Sequence, residues 1–106
     1  MTAADLKTAR LENLAAYMAA DLEEDRVNIE LVYSAAYSYL TGGVAPDPMT
    51  QPGAPDELSP GLFDLALNSL ALHWFDHRSD MESESFPAAL RPILTQLKAK
   101  GGGLVG

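Results

Sequence analysis

The sequence predicts an all-α fold: a small four-helix antiparallel bundle with a long Pro/Gly-rich loop between the second and third helices. Three observations carry this expectation. Apolar residues recur at helical spacing in four separate stretches, and no stretch of useful length alternates apolar with polar. Five of the seven prolines crowd between Pro46 and Pro60. At 106 residues and 47% hydrophobic content, the chain has enough material for one modest core and too little for two. Residues 1–100 are therefore expected to form a single helical domain, with 101–106 as a flexible glycine-rich tail.

The first helix opens at Thr2, an N-cap, with Asp5 three residues on in a capping-box position. Its apolar stripe is Leu11, Leu14, Ala15, Met18 and Leu22. The acidic run Asp21 to Asp25 marks a break and the acid-rich first turn of the next helix. The second stripe, Ile29, Val32, Tyr33, Ala36, Tyr37 and Leu40, stops at Thr41-Gly42-Gly43. Tyr33, Tyr37 and Tyr39 are expected to pack at the core and its rim with hydroxyls reaching water. Residues 42–58 hold too many prolines and glycines for a helix or a central strand. Both a docking segment and a tolerated surface insertion stay open for them.

The third helix is expected to start with Ser59 as N-cap and Pro60 at the first helical position. From Leu62 to Phe75 it is apolar almost all round, which a chain of this size has difficulty burying alone, so a neighbouring subunit is expected to cover part of it. The fourth helix spans roughly Pro87 to Lys98 with the stripe Phe86, Leu90, Ile93, Leu94 and Leu97. Pro92 inside it should shift its start or kink it.

Charge excludes some functions. The net charge is −8. Residues 1–84 hold all 15 acids against Lys7, Arg10, Arg26 and Arg78, leaving −11, whereas residues 85–106 hold Arg91, Lys98 and Lys100 and no acid. An acidic body repels phosphate, so specific nucleic-acid binding by this surface is not expected. The basic end either meets an acidic partner or complements the dipole of the last helix. The absence of cysteine excludes disulfides and thiolate metal sites. The start, Met1-Thr2-Ala3-Ala4-Asp5, lacks the basic and apolar regions of a signal peptide, and the chain is expected to be soluble and intracellular.

The helix-end run His73-Trp74-Phe75-Asp76-His77-Arg78 is where chemistry has to be sought. His73 and His77 share a helical face at chelating spacing, with Asp80 one turn on. The residue after the first His is Trp74, where a metalloprotease helix carries Glu. No metal site is assigned; His73 and His77 are the only candidates. Asp76 and Asp80 have no partner acid on a separate element, no serine sits in a nucleophile elbow, and no glycine loop leads into a phosphate-binding helix. No enzyme activity and no cofactor are expected. Trp74 and Phe75 read as a packing anchor carrying a polar rim, His73, His77 and Arg78, with Trp74, Phe75, His77 and Arg78 expected at a subunit interface. Arg78 can pair with the acids that follow, worth under about 1 kcal/mol if exposed, or across that boundary.

The order of elements, with Ala35-Ala36-Tyr37-Ser38-Tyr39-Leu40, His73 to Arg78, and Phe86-Pro87-Ala88-Ala89-Leu90-Arg91-Pro92-Ile93-Leu94, resembles the head–tail connector (adaptor) proteins of tailed bacteriophages and prophages. The likeness covers about residues 4–97. Phe75 stands for the usual Tyr, Asp76-His77 for a Glu-Asn-like pair, and the loop is unusually proline-rich. The resemblance implies a virion protein of the head–tail junction: a ring of about twelve copies under the portal protein that continues the DNA channel to a tail or head-completion protein. DNA would pass without specific binding. The resemblance also implies that the C-terminal part docks on the portal, which nominates Arg91, Lys98 and Lys100. A small acidic helical regulator, antitoxin-like and covering a basic partner, is the alternative.

Overall fold

The computed structural model describes residues 2–77 and 90–101, which form an all-α arrangement of four helices with no strand among them. Helix α1 spans Ala3–Met18, α2 Arg26–Gly43, α3 Leu62–Asp76 and α4 Arg91–Gly101. A 3-10 turn, Pro48–Thr50, lies between α2 and α3. Helices α2 and α3 form the most extensive pair, α1 packs on both, and α4 packs on α3.

The capping box at Thr2 is present: the Thr2 hydroxyl accepts from the Asp5 amide at 3.1 Å, and the Asp5 carboxylate accepts from the Thr2 amide at 3.3 Å. The Asp5 carboxyl is held below its usual range, first by hydrogen bonding with the Thr2 side chain and then by the Thr2 amide. Helix α1 ends where Ala19 turns left-handed, with φ 54° and ψ 39°. The Ala20 amide then closes on the Ala15 carbonyl at 2.9 Å, the long bond of a Schellman ending. Leu11, Leu14 and Ala15 are buried as the stripe requires, while Leu22 lies beyond the helix and is partly buried.

The acidic run precedes α2 and does not form its first turn. The Asp21 carboxylate accepts from the amides of Glu23 and Glu24 at 2.9 and 3.3 Å, closing a turn that consumes the acids before the helix opens at Arg26. The start of α3 also differs from expectation. Gly61, extended at φ −143°, is the N-cap, and Ser59 and Pro60 lie ahead of the helix. A start at Pro60 would put Gly61 inside the helix, where it costs about 1 kcal/mol relative to Ala. Starting at Leu62 also puts Asp64 in the first turn, beside the positive end of the dipole.

Pro92 occupies the second position of α4, so the helix begins at Arg91, as a displaced start predicts, and it runs on to Gly101 rather than ending at Lys98. Phe86, Pro87, Ala88 and Ala89 lie outside the described residues, as do Asp80 and positions 102–106. The core is made by Leu14, Ile29, Val32, Ala36, Leu40, Phe63, Leu67 and Leu70, each 2% exposed or less, with Leu97 closing it from α4. Helix α3 is covered largely by its own chain: among its hydrophobic residues only Leu65 is well exposed, at 42%. The expected need for a neighbour over this helix therefore shrinks to Leu65 and the partly buried Leu62, Leu72 and Phe75.

Candidate functional site: an ionic clasp and the end of α3

The most concentrated polar chemistry lies at the junction of α1, the loop after α2, and α3. Arg10 occupies the helical row of Leu6 and Leu14 and is itself 1% exposed. Its Nε donates to Asp64 Oδ1 at 2.9 Å, Nη2 donates to Asp47 Oδ1 at 2.7 Å, and Nη1 donates to Asp47 Oδ2 in a closer contact. The guanidinium carbon lies 5.1 Å from the centre of the Phe63 ring and 5.9 Å from that of Tyr37. Arginine suits the position because its planar fork meets a carboxylate with two parallel bonds and still offers Nε to a second acid.

Asp47 is filled on all sides. Besides both Arg10 bonds, its carboxylate accepts from the Tyr37 hydroxyl at 2.8 Å and from the Met49 amide at 2.9 Å, the latter capping the 3-10 turn. Burial alone would favour the protonated acid, but the bonds from Arg10, Met49 and Tyr37 outweigh it and hold the Asp47 carboxyl below the usual carboxylate range. Burial likewise works against the Arg10 charge, yet the two acids win and its proton is held more tightly than in water. Tyr37 is pushed up to about 12 by burial and by its bond to the Asp47 carboxylate. Burial also raises Tyr33, which stacks on Tyr37 with ring centres 5.8 Å apart. The Tyr37 hydroxyl thus faces a carboxylate, not water as expected from the sequence.

This arrangement changes the reading of the loop. Ala45 and Asp47, 6% and 2% exposed, tie residues 44–50 into the core while Pro46, Pro48 and Thr50 stay exposed, so this half is no tolerated insertion. Residues 51–61 are exposed except for the half-buried Ala54 and Leu58. A groove of about 310 Å³ between α1 and α2 reaches Arg10, Tyr33 and Tyr37 and is flanked by Lys7. The carboxylate of Asp47 already accepts four hydrogen bonds, its full capacity, and the guanidinium gives three of its five N–H groups to the two acids within the fold. The clasp joins elements.

The end of α3 divides into an inner and an outer part. Trp74 is 4% exposed, and Tyr39 meets its ring edge-on at 6.1 Å, so it anchors the chain's own core. Its Nε1 has no hydrogen-bond partner among the described residues. Phe75 is partly buried and packs against the same core. His73 is half-buried and His77, the C-cap, is exposed; their rings stack at 4.8 Å, and His77 Nδ1 lies 3.1 Å from the His73 carbonyl. Among the described residues no three His, Asp or Glu side chains group as metal ligands. Arg78 lies outside the described residues. Arg91 and Lys98 are exposed on α4, far in sequence from the α3 rim, and nothing is described of the Lys100 side chain.

Neither a protein-family model, nor a curated protein, nor a solved structure matches this chain. Sequence reasoning missed the clasp because Arg10 reads as one surface base among the four of residues 1–84. The signal was its place in the Leu6, Arg10, Leu14 row, a cation where the stripe demands an apolar residue.

Proposed function

We propose that the protein is a structural subunit of a phage or prophage head–tail connector. In this role about twelve copies form a ring under the portal and pass DNA toward the tail. The observation that carries the reading is the sequence run His73 to Arg78, whose described part, His73 to His77, closes α3 with Trp74 as its inner anchor and His77 on the outside. Two further features support it. The clasp ties the loop to α1 and α3, and the body measures 41 × 32 × 18 Å, a flat shape suited to side-by-side packing. The acidic surface repels passing phosphate at short range.

In this reading the helices pair as an antiparallel bundle, and the exposed half of the Pro/Gly-rich loop faces a partner. Phe75, His77 and Arg78 lie at the subunit boundary with Trp74 behind them, and Arg91, Lys98 and Lys100 meet the portal. The role is architectural, without catalysis or cofactor, at the head–tail junction of the virion.

Electron microscopy of portal rings mixed with the purified chain tests this. An added ring of density beneath the portal is expected, diminished by Arg91→Glu/Lys98→Glu/Lys100→Glu. Bare portal rings at saturating protein would overturn the proposal. A one-to-one complex with a small basic protein would favour the regulator instead.

A further inference from the structure

Neither the clasp nor the end of α3 accounts for the outer face of α2. Val27 and Leu31, one turn apart, are 81% and 54% exposed and turn away from Ile29 and Ala36, which face the core. Asp21, Glu23 and Glu24 stand exposed beside them at the start of the helix. Glu30 adds a fourth acid, 3.7 Å from Arg26. The surface is therefore an aliphatic pair in an acidic frame.

The chain also carries the complement. Arg91 and Lys98, seven residues apart, share an exposed face of α4. Lys100 follows, and after the helix the sequence reads Gly102-Gly103-Leu104-Val105-Gly106, an aliphatic pair on a glycine lead. We propose that the acidic start of α2 docks the Arg91 and Lys98 face of α4 and the Leu104–Val105 pair of a second copy of this chain.

The opposite charges of the two ends favour this pairing and disfavour like against like. Within one copy α4 packs on α3 and leaves Val27 and Leu31 uncovered. The contact is head-to-tail, so it repeats and closes a ring when the rotation allows. Two aliphatic side chains a side make a small contact, stable only when multiplied around such a ring. The inference rests on the connector reading for its purpose, and it moves Arg91 and Lys98 from the portal contact to the neighbouring copy, leaving Lys100 for the portal.

The chain has no cysteine, so introduced thiols report the contact without interference. Mixing Val27→Cys chains with Val105→Cys chains under mild oxidation is expected to give the mixed disulfide well above either self-pair. A chain carrying both substitutions is expected to give a ladder of oligomers. Arg91→Glu/Lys98→Glu in the Val105→Cys chain should cut the mixed product about tenfold, and Glu23→Lys/Glu24→Lys in its partner should restore it. A statistical mixture of pairs, insensitivity to charge reversal, or a double variant that closes only on itself as a monomer would each overturn the proposal. Portal rings separate the two readings. Decoration by Val27→Ser/Leu31→Ser chains equal to that of the unaltered chain would discard this contact and keep the connector. Charge-dependent cross-linking without any portal decoration would do the reverse.

Discussion

Arg10 is the residue on which most depends. Its removal leaves the carboxylates of Asp47 and Asp64 buried without a counter-charge, both at 2% exposure. Breaking a buried pair from one side costs about 3–5 kcal/mol, so Arg10→Ala should lower the urea midpoint by a large part of the total stability. Combining it with Asp47→Ala should cost much less than the sum of the two, and additive losses would show that the pair is not coupled. The acid and alkaline limbs of stability follow from the same cluster. Asp47 has its folded pKa below the unfolded 3.8, so its contribution is complete above that value and is lost as pH falls through the folded one. Tyr37 runs the other way. Its folded pKa of about 12 lies above the unfolded 10.0, so stability that is full below pH 10 is lost as pH rises toward 12. Denaturation followed between pH 9 and 12 should show this alkaline loss, and Tyr37→Phe should remove Tyr37's share of it.

At the scale of elements, the α1 ending offers a separate measurement. Ala19 holds a left-handed conformation that disfavours a Cβ, so Ala19→Gly should relieve strain of about 1 kcal/mol, partly offset by glycine's larger chain entropy when unfolded. A small rise in thermal midpoint is expected, whereas the same change at Ala16, inside the helix, should lower it. The helices themselves were legible in the sequence, since period and caps act within a few residues. Thr2 and Asp5 make the box their spacing announces, and Ile29 to Leu40 bury the face their period defines. Legibility failed where a distant partner decides. Nothing near Ser59 reveals that α3 must begin late enough to present Asp64 to Arg10, and nothing near Asp47 reveals that this loop acid is buried. Trp74 was found as an anchor, but the local sequence does not tell whether it anchors its own chain or the next.

For the whole molecule, the two halves of the loop after α2 differ in a way that bears on how the chain can be cut. Residues 44–50 are locked by Asp47, and residues 51–61 are mostly exposed, with Glu57 among them. In a chain carrying Glu82→Gln/Glu84→Gln, a glutamyl-specific protease should cleave after Glu57 before it reaches Glu12, Glu23, Glu24 or Glu30 within or beside the helices. The two pieces would still share the α2–α3 core and the bond from Arg10 to Asp64, which spans the cut. The nicked protein should therefore keep its helical circular dichroism and elute as one particle, separating only in denaturant. Prompt dissociation on cleavage would show that the covalent loop, not the packing, holds the halves together. If they remain joined, the molecule can be made as two separately expressed peptides that reassemble, and each copy in an assembly could then be labelled on one half alone.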